Sequence, residues 1–354
     1  MRSWRWVVVL IFTAVVTMLT GNGGGASAQN TFTPVAIGVV AAVDEVSVFA
    51  SVDNGIYRKH GLDVKVTVYP TGVEVVNALA AGQIQIGMVG PTPFVASASK
   101  GVPLVLIVVN HGTPNSMSYS ANQGIVASAK SGVRVGDLKG LAGKKIGVPF
   151  GADPQPYLDS VLAGAGVSPQ GVTLVNLSPP DAAVALRQGA IDAAALFEPW
   201  TTVVLAEVPG SVRVVEGHAP SWFGPGIGVT TRQELAQQRN VLVRVLAAQA
   251  ETEQWVRHNL DKAAQVDTRW ITGLNSEVAT RAIRYPVFDM RISKLTIEGF
   301  NKNYIPALVK LGVLHAAVDI AKFTDASVIL QVQRDSPQLF DDLPPIAPRN
   351  QLRE

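Results

Sequence analysis

The sequence predicts an α/β protein of two similar doubly wound lobes around a cleft, with additional helices towards its C-terminal end. Three observations carry that expectation. Ala78, Leu79, Gly82 and Ile84 recur as Ala185, Leu186, Gly189 and Ile191, an offset of 107 residues, and Val66, Val68, Thr71 and Glu74 meet Thr173, Val175, Ser178 and Asp181 at the same offset. The echo covers a strand, a polar turn, a helix and a second strand, so a βαβ unit is repeated, and a cleft between two such copies can hold a small molecule. Strand-like and helix-like stretches alternate over 35–200, which indicates a parallel, doubly wound sheet in each lobe. Beyond Gly226 the pattern changes to long helical periods.

The chain opens with Arg2 and Arg5, an apolar run over 6–19 and a small-residue stretch ending in Ala26, Ser27 and Ala28. That is the layout of a cleavable secretory signal peptide over 1–28. As a membrane span the run is short, since spanning needs about 20 apolar residues; an uncleaved anchor is the alternative. An apolar run over 35–43 reads as a buried strand, broken by Asp44 and Glu45 before a helical period over 46–57. Val64, Val66 and Val68 alternate with Asp63, Lys65 and Thr67 as a strand does. Pro70, Thr71 and Gly72 form a turn into a short helix closed by Gly82. Strands over 84–89 and 104–109 flank a helix that begins at Gly90, Pro91 and Thr92.

The second half of the pattern starts near Ile125, with a short strand at 146–148, a glycine and proline cluster over 151–156, a helix over 157–165 and the second copy of the repeat over 172–197. Thr231 with Glu234 has the spacing of a capping box. Ile297, Phe300, Tyr304, Leu308 and Leu311 share one face of a helix that stops at Gly312, a packing stripe rather than a ligand box. The proline-rich end of the chain reads as a loosely ordered tail.

Composition narrows the function. Cysteine is absent from the 354 residues, which excludes disulfides, cysteine-ligated metal and cysteine nucleophiles. Removal of the leader takes away two arginines and no acid, leaving basic and acidic side chains equal in number. A neutral chain with no basic stripe offers no field for nucleic acid.

The segments Gly55, Ile56, Tyr57 with Gly61, Leu62, Asp63; Ala78, Leu79, Gly82, Ile84, Gly87; Asp137, Leu138, Lys139, Gly140 with Gly143, Lys144, Ile146, Gly147, Val148; and Asp181, Ala182, Ala185, Leu186, Gly189, Ile191, Asp192, Ala193 stand in a characteristic order and spacing. Together they resemble the periplasmic substrate-binding proteins of ABC importers for aliphatic sulfonates, taurine and nitrate, a group that also includes binders of pyrimidine precursors. The resemblance implies a class II periplasmic binding fold whose chain crosses between lobes twice, with 122–124 and 223–226 as candidate crossings. The implied divisions are a first lobe over 29–122, a second over 123–223, a mostly helical return to the first over 224–336 and a tail over 337–354. It further implies a monomeric, periplasmic protein whose partners are a small-molecule ligand and an inner-membrane permease with its ATPase, and which needs no cofactor and no metal.

Ligands of open α/β sheets sit outside the carboxyl ends of the strands. Five loops qualify, giving Asp44 and Glu45; Thr71 and Gly72; Gly90, Pro91 and Thr92; Asn110 and His111; and Phe150, Gly151 and Ala152. Glu198 and Trp200 end the second repeat and face the same crevice if the lobes are alike. Helix amino termini at these loops favour an anionic head group, with Thr71, Gly72 and Thr92 as its contacts, although both threonines serve equally as simple caps. His111 either donates to a ligand or is a satisfied loop residue. Phe150, Trp200 and Trp222 can wall an organic ligand or belong to the core. Asp44, Glu45 and Glu198 oppose a bare anion, and no arginine lies in the five loops. The sequence therefore leans towards a small organic solute, anionic or zwitterionic, such as a sulfonate, a taurine-like compound or a heterocycle.

No phosphate loop, HExxH pair or nucleophile elbow is present, and the five histidines are scattered. The expectation is a binding protein with no catalytic residues. Its alternatives are an enzyme on the same fold, of desulfinase or pyrimidine-synthase type, and a ligand sensor.

Overall fold

In the computed structural model, which describes residues 32–117, 122–217 and 223–352, ten strands form two five-stranded sheets. The expected leader and Trp222 lie outside the described residues. Strands β1 (Thr33–Val40), β2 (Leu62–Tyr69), β3 (Ile86–Val89), β4 (Leu104–His111) and β10 (Gly226–Thr231) form the first sheet in the order β2-β1-β3-β10-β4. Strands β5 (Gln123–Ala127), β6 (Lys145–Val148), β7 (Thr173–Asn176), β8 (Ala193–Phe197) and β9 (Val212–Glu216) form the second in the order β7-β6-β8-β5-β9. The two orders are the same once each strand is matched with its counterpart.

The sheets are mixed rather than purely parallel. β10 runs antiparallel to β3 and β4, and β5 antiparallel to β8 and β9. Each is the first strand formed after the chain passes from one sheet to the other, so it enters from the opposite end. The repeat, by contrast, has a clear structural meaning. β2, the helix Gly72–Ala80 and β3 occupy the same places in their sheet as β7, the helix Ala182–Gln188 and β8 in theirs. Gly82 and Gly189 end the two helices with φ of 70° and 74°, a conformation that glycine adopts without strain. Ile84 and Ile191 each cover a glycine of the adjoining strand: a Cβ on Gly38 would lie 2.5 Å from Ile84 Cδ1, and one on Gly147 2.7 Å from Ile191 Cδ1.

Asp44 and Glu45 do not form a loop but open a helical stretch, a 3₁₀ turn over Val43–Glu45 leading into the helix Val46–Asp53. The expected helix over 46–57 is interrupted at Gly55, whose φ is 69°. The long helix Arg239–His258 and its successor Leu260–Trp270 cover this first helix. Trp270 stacks on Phe49 at 5.1 Å, and Ser51 Oγ lies 2.6 Å from Thr252 Oγ1. The amphipathic stripe from Ile297 forms one helical run with a π-turn at Phe300–Tyr304, and Phe300 and Tyr304 are both fully buried.

The proline-rich end is not loose. Phe340 is buried, Arg257 bonds Leu339 O and Asp342, and Arg291 bonds Pro344 O at 2.7 Å. Two arginines of the helical return thus satisfy carbonyls of a segment whose polar composition alone suggested disorder. No helix among the described residues is long and apolar enough to cross a membrane.

Candidate functional site

The carboxyl ends of β1, β2, β3 and β4 in one sheet and of β6 and β8 in the other converge on a pocket of about 40 Å³. That is room for a few water molecules. Of the residues predicted from strand ends, Asp44, Glu45, Gly72, Gly90, His111 and Ala152 line it. Asn122, Gln123, Asp153, Phe197 and the segment 224–226 line it as well. Asn122 and Gln123 escaped because they stand at the start of an antiparallel strand, where the strand-end rule does not look. Asp153 lies one residue beyond the predicted loop. Gly226 is held tightly against the strand next to it, since a Cβ there would lie 2.2 Å from His111 Cδ2 and 2.0 Å from Asn110 Oδ1.

The remaining predicted residues stand elsewhere. Thr71 caps the helix Gly72–Ala80 in a capping box with Glu74. Pro91 is the first residue of the helix Pro91–Ser99, behind the pocket wall. Asn110 does not line the pocket itself but donates at 3.0 Å to Oε2 of Glu45, which does. Phe150 is 45% exposed, with its N–H on Asn176, and the Gly151 N–H bonds Gln155. Glu198 is fully buried behind β8, where it accepts from Arg213 Nη2 at 2.7 Å, from the Thr201 hydroxyl and from the Thr202 N–H. Its charge is therefore neutralised away from the pocket, and Arg213 itself lies over the Tyr285 ring. Trp200 is no exposed wall: its indole is buried and donates to Ala41 O at 2.8 Å, tying the helix after β8 to the end of β1.

Asp153 makes the second tie between the two sheets. It follows β6, yet its Oδ1 accepts the Thr92 N–H at 2.8 Å, the Thr92 hydroxyl and the Tyr304 hydroxyl. Gly90 makes this approach possible, because a Cβ on it would fall 1.3 Å from Asp153 Oδ2. Burial pushes the Asp153 carboxyl above the usual carboxylate range, while the bonds from Thr92 and Tyr304 pull against that rise. The Tyr304 hydroxyl is driven up by burial and by the Asp153 charge.

Opposite Asp153 lies a second polar cluster. His111 Nε2 is 3.0 Å from Asp44 Oδ2 and 3.2 Å from Asn122 Nδ2. Glu45 is held well above its usual range by burial and then by the Asp44 charge, with the Asn110 bond opposing. Behind it, Asp267 is fully buried and held well above its usual range by burial and by Asp44. Four oxygens here, Asp44 Oδ1, Asn110 Oδ1, Asn122 Oδ1 and Gln123 Oε1, are buried without a hydrogen-bond partner among the described residues. Among those residues no group of three or more histidine, aspartate or glutamate side chains could hold a metal ion.

The NMT1-like family matches residues 28–271. A taurine-binding periplasmic protein of Escherichia coli K12 is 28% identical over 202 residues, which is 57% of this chain and 59% of that protein. Among solved structures, the alkanesulfonate-binding protein from Xanthomonas axonopodis pv. citri bound to MOPS superposes with a TM-score of 0.71 at 19% identity, covering 83% of this chain and 98% of that one. The periplasmic nitrate-binding protein from Synechocystis PCC 6803 gives 0.70 at 15% identity, covering 86% and 89%. The fold is thus that of periplasmic binding proteins.

Proposed function

Because the chain belongs to the NMT1-like family, we propose that it is the solute-binding component of an ABC import system. In this reading it is exported to the periplasm, captures a small organic compound as its lobes close, and delivers the compound to an inner-membrane permease with its ATPase. The observation that carries the reading is the pocket itself, set at the strand ends of two like sheets and spanned by the bonds of Asp153 to Thr92 and of Trp200 to Ala41. Contacts that bridge two lobes beside a pocket are what closure on a solute requires, and the chain passages at 122–124 and 223–226 are the proposed hinges. The names of the taurine- and nitrate-binding relatives fit the same role.

Affinity then comes from the difference between open and closed states rather than from chemistry on the solute. A thermal-shift screen of the mature chain tests this, with sulfonates, taurine, aromatic carboxylates, amines, pyrimidines and nitrate as probes. A ligand at about 100 times its Kd stabilises by about 2.7 kcal/mol, which a melting curve reads easily. The solute recovered after incubation is expected unchanged by mass. A panel with no stabilising compound, or recovery of a converted product, would count against the proposal.

A further inference from the structure

We infer that the pocket selects a nitrogen-bearing solute, one that presents N–H donors on an ammonium, amidinium or amino-heterocyclic group, and that it disfavours a sulfonate or other bare oxyanion. The inference rests on the solute-binding reading above and concerns the polarity of the same site. An oxyanion needs free donors, and several of the strand-end donors that the sequence offered to it are already engaged. The Thr71 N–H bonds Glu74 Oε2, the Thr92 N–H and hydroxyl bond Asp153, the Phe150 N–H bonds Asn176, and the Gly151 N–H bonds Gln155. At the helix Pro91–Ser99 the protein's own carboxylate stands where an anionic ligand would sit, satisfying the amino terminus that would have attracted it.

The buried side-chain atoms that the pocket leaves unpaired among the described residues are of the opposite kind. Asp44 Oδ1 and Gln123 Oε1 are acceptors without partners among the described residues, both side chains are more than nine-tenths buried, and both line the pocket. A buried acceptor with no donor is costly, and a ligand that supplies the donor removes that cost. Charge points the same way. Asp44, Glu45 and Asp153 line the pocket and Asp267 lies behind Asp44, whereas the described lining residues include no lysine or arginine and His111 is their single ionisable base. Among these side chains a sulfonate would meet three carboxyls at close range, while an ammonium or amidinium would bond the free oxygens of Asp44 and Gln123 together. Phe197, Pro93, Pro154 and Pro225 supply apolar walls for the carbon part of such a solute.

The test is a melting-temperature panel on the mature wild-type chain at pH 7 with six probes: ethanesulfonate, nitrate, taurine, phenylethylammonium, benzamidine and 4-aminopyrimidine. At least one of the last three is expected to raise the melting temperature, with ethanesulfonate and nitrate giving no shift. The three nitrogenous probes separate an alkylammonium from an amidine and from an amino-heterocycle. By calorimetry, Asp44→Asn, which keeps the shape and removes the charge, should weaken the charged hit at least tenfold, and Gln123→Met should weaken any hit by a smaller factor. Stabilisation by ethanesulfonate or nitrate, with none from the nitrogenous probes, leaves the solute-binding reading standing and overturns this one. Undiminished affinity in both variants overturns it as well. A panel without any shift, from a chain folded by circular dichroism, overturns both.

Discussion

Replacing Gly90 with alanine should separate the two sheets without disturbing either. The backbone at Gly90 has φ −76° and ψ 161°, a region open to any residue, so the substitution introduces no local strain. The added methyl would nevertheless lie 1.3 Å from Oδ2 and 2.5 Å from Cγ of Asp153. That carboxyl cannot swing aside cheaply, because it is pinned by Thr92 and Tyr304. Relief requires Asp153 to give up its two bonds from Thr92, and hydrogen bonds to a charged group are each worth about 1.5–3 kcal/mol. The gross loss is therefore about 3–6 kcal/mol. Alanine returns about 0.4–1 kcal/mol by restricting the unfolded chain, which leaves a net of about 2–5 kcal/mol. Because burial already pushes the Asp153 carboxyl up, the lower half of that range is expected. Urea unfolding reads the change as a fall in midpoint at constant slope, and small-angle scattering should show a larger radius of gyration as the lobes part. Gly164→Ala is the control, since a Cβ there meets nothing within 4 Å. A Gly90→Ala protein within about 0.5 kcal/mol of wild type, with unchanged scattering, would refute the reasoning.

Two further outcomes follow from buried charge. Arg213→Met strands the fully buried Glu198 and should cost about 3–5 kcal/mol, whereas Arg187→Ala, which breaks an exposed pair with Glu207, should stay under about 1 kcal/mol by the same denaturant assay. Asp267→Asn should raise the melting temperature at pH 7. The folded protein holds the Asp267 proton more tightly than the unfolded chain does, so stability falls as pH rises from the ordinary aspartate value through the raised one. The variant lacks that penalty, and its advantage should vanish below about pH 4; an advantage that persists there would show that packing, not charge, is responsible.

How much of this could be read from the sequence depended on which physical signal each feature leaves. The repeat left a strong one, because helix ends at Gly82 and Gly189 and the Ile84 and Ile191 contacts are fixed by backbone geometry and close packing. Strand direction left none: the hydrophobic run of β5 or β10 reads the same in either sense, so the antiparallel entry of each crossing strand was invisible. The tail misled for a related reason, since its order comes from Arg257 and Arg291, which lie far upstream in the sequence.

The pocket shows the same division at finer scale. At the repeat offset, Gly90 corresponds to Phe197, and these two residues both line the pocket, one as an absence of side chain and the other as an aromatic wall. Two residues after Gly90, Thr92 turns to meet Asp153, and one residue after Phe197, Glu198 turns to meet Arg213. Thr92 and Glu198 follow the strands rather than belong to them, and a reading by loops includes neighbours that face away from the pocket. More consequential is the polarity. Helix amino termini suggested donors for an anion, a sound inference for isolated helices. Glu74 occupies one terminus from within its own capping box, a local contact, whereas Asp153 reaches the terminus at Thr92 from the other sheet, and only the tertiary structure reveals that this second terminus is closed to an anion.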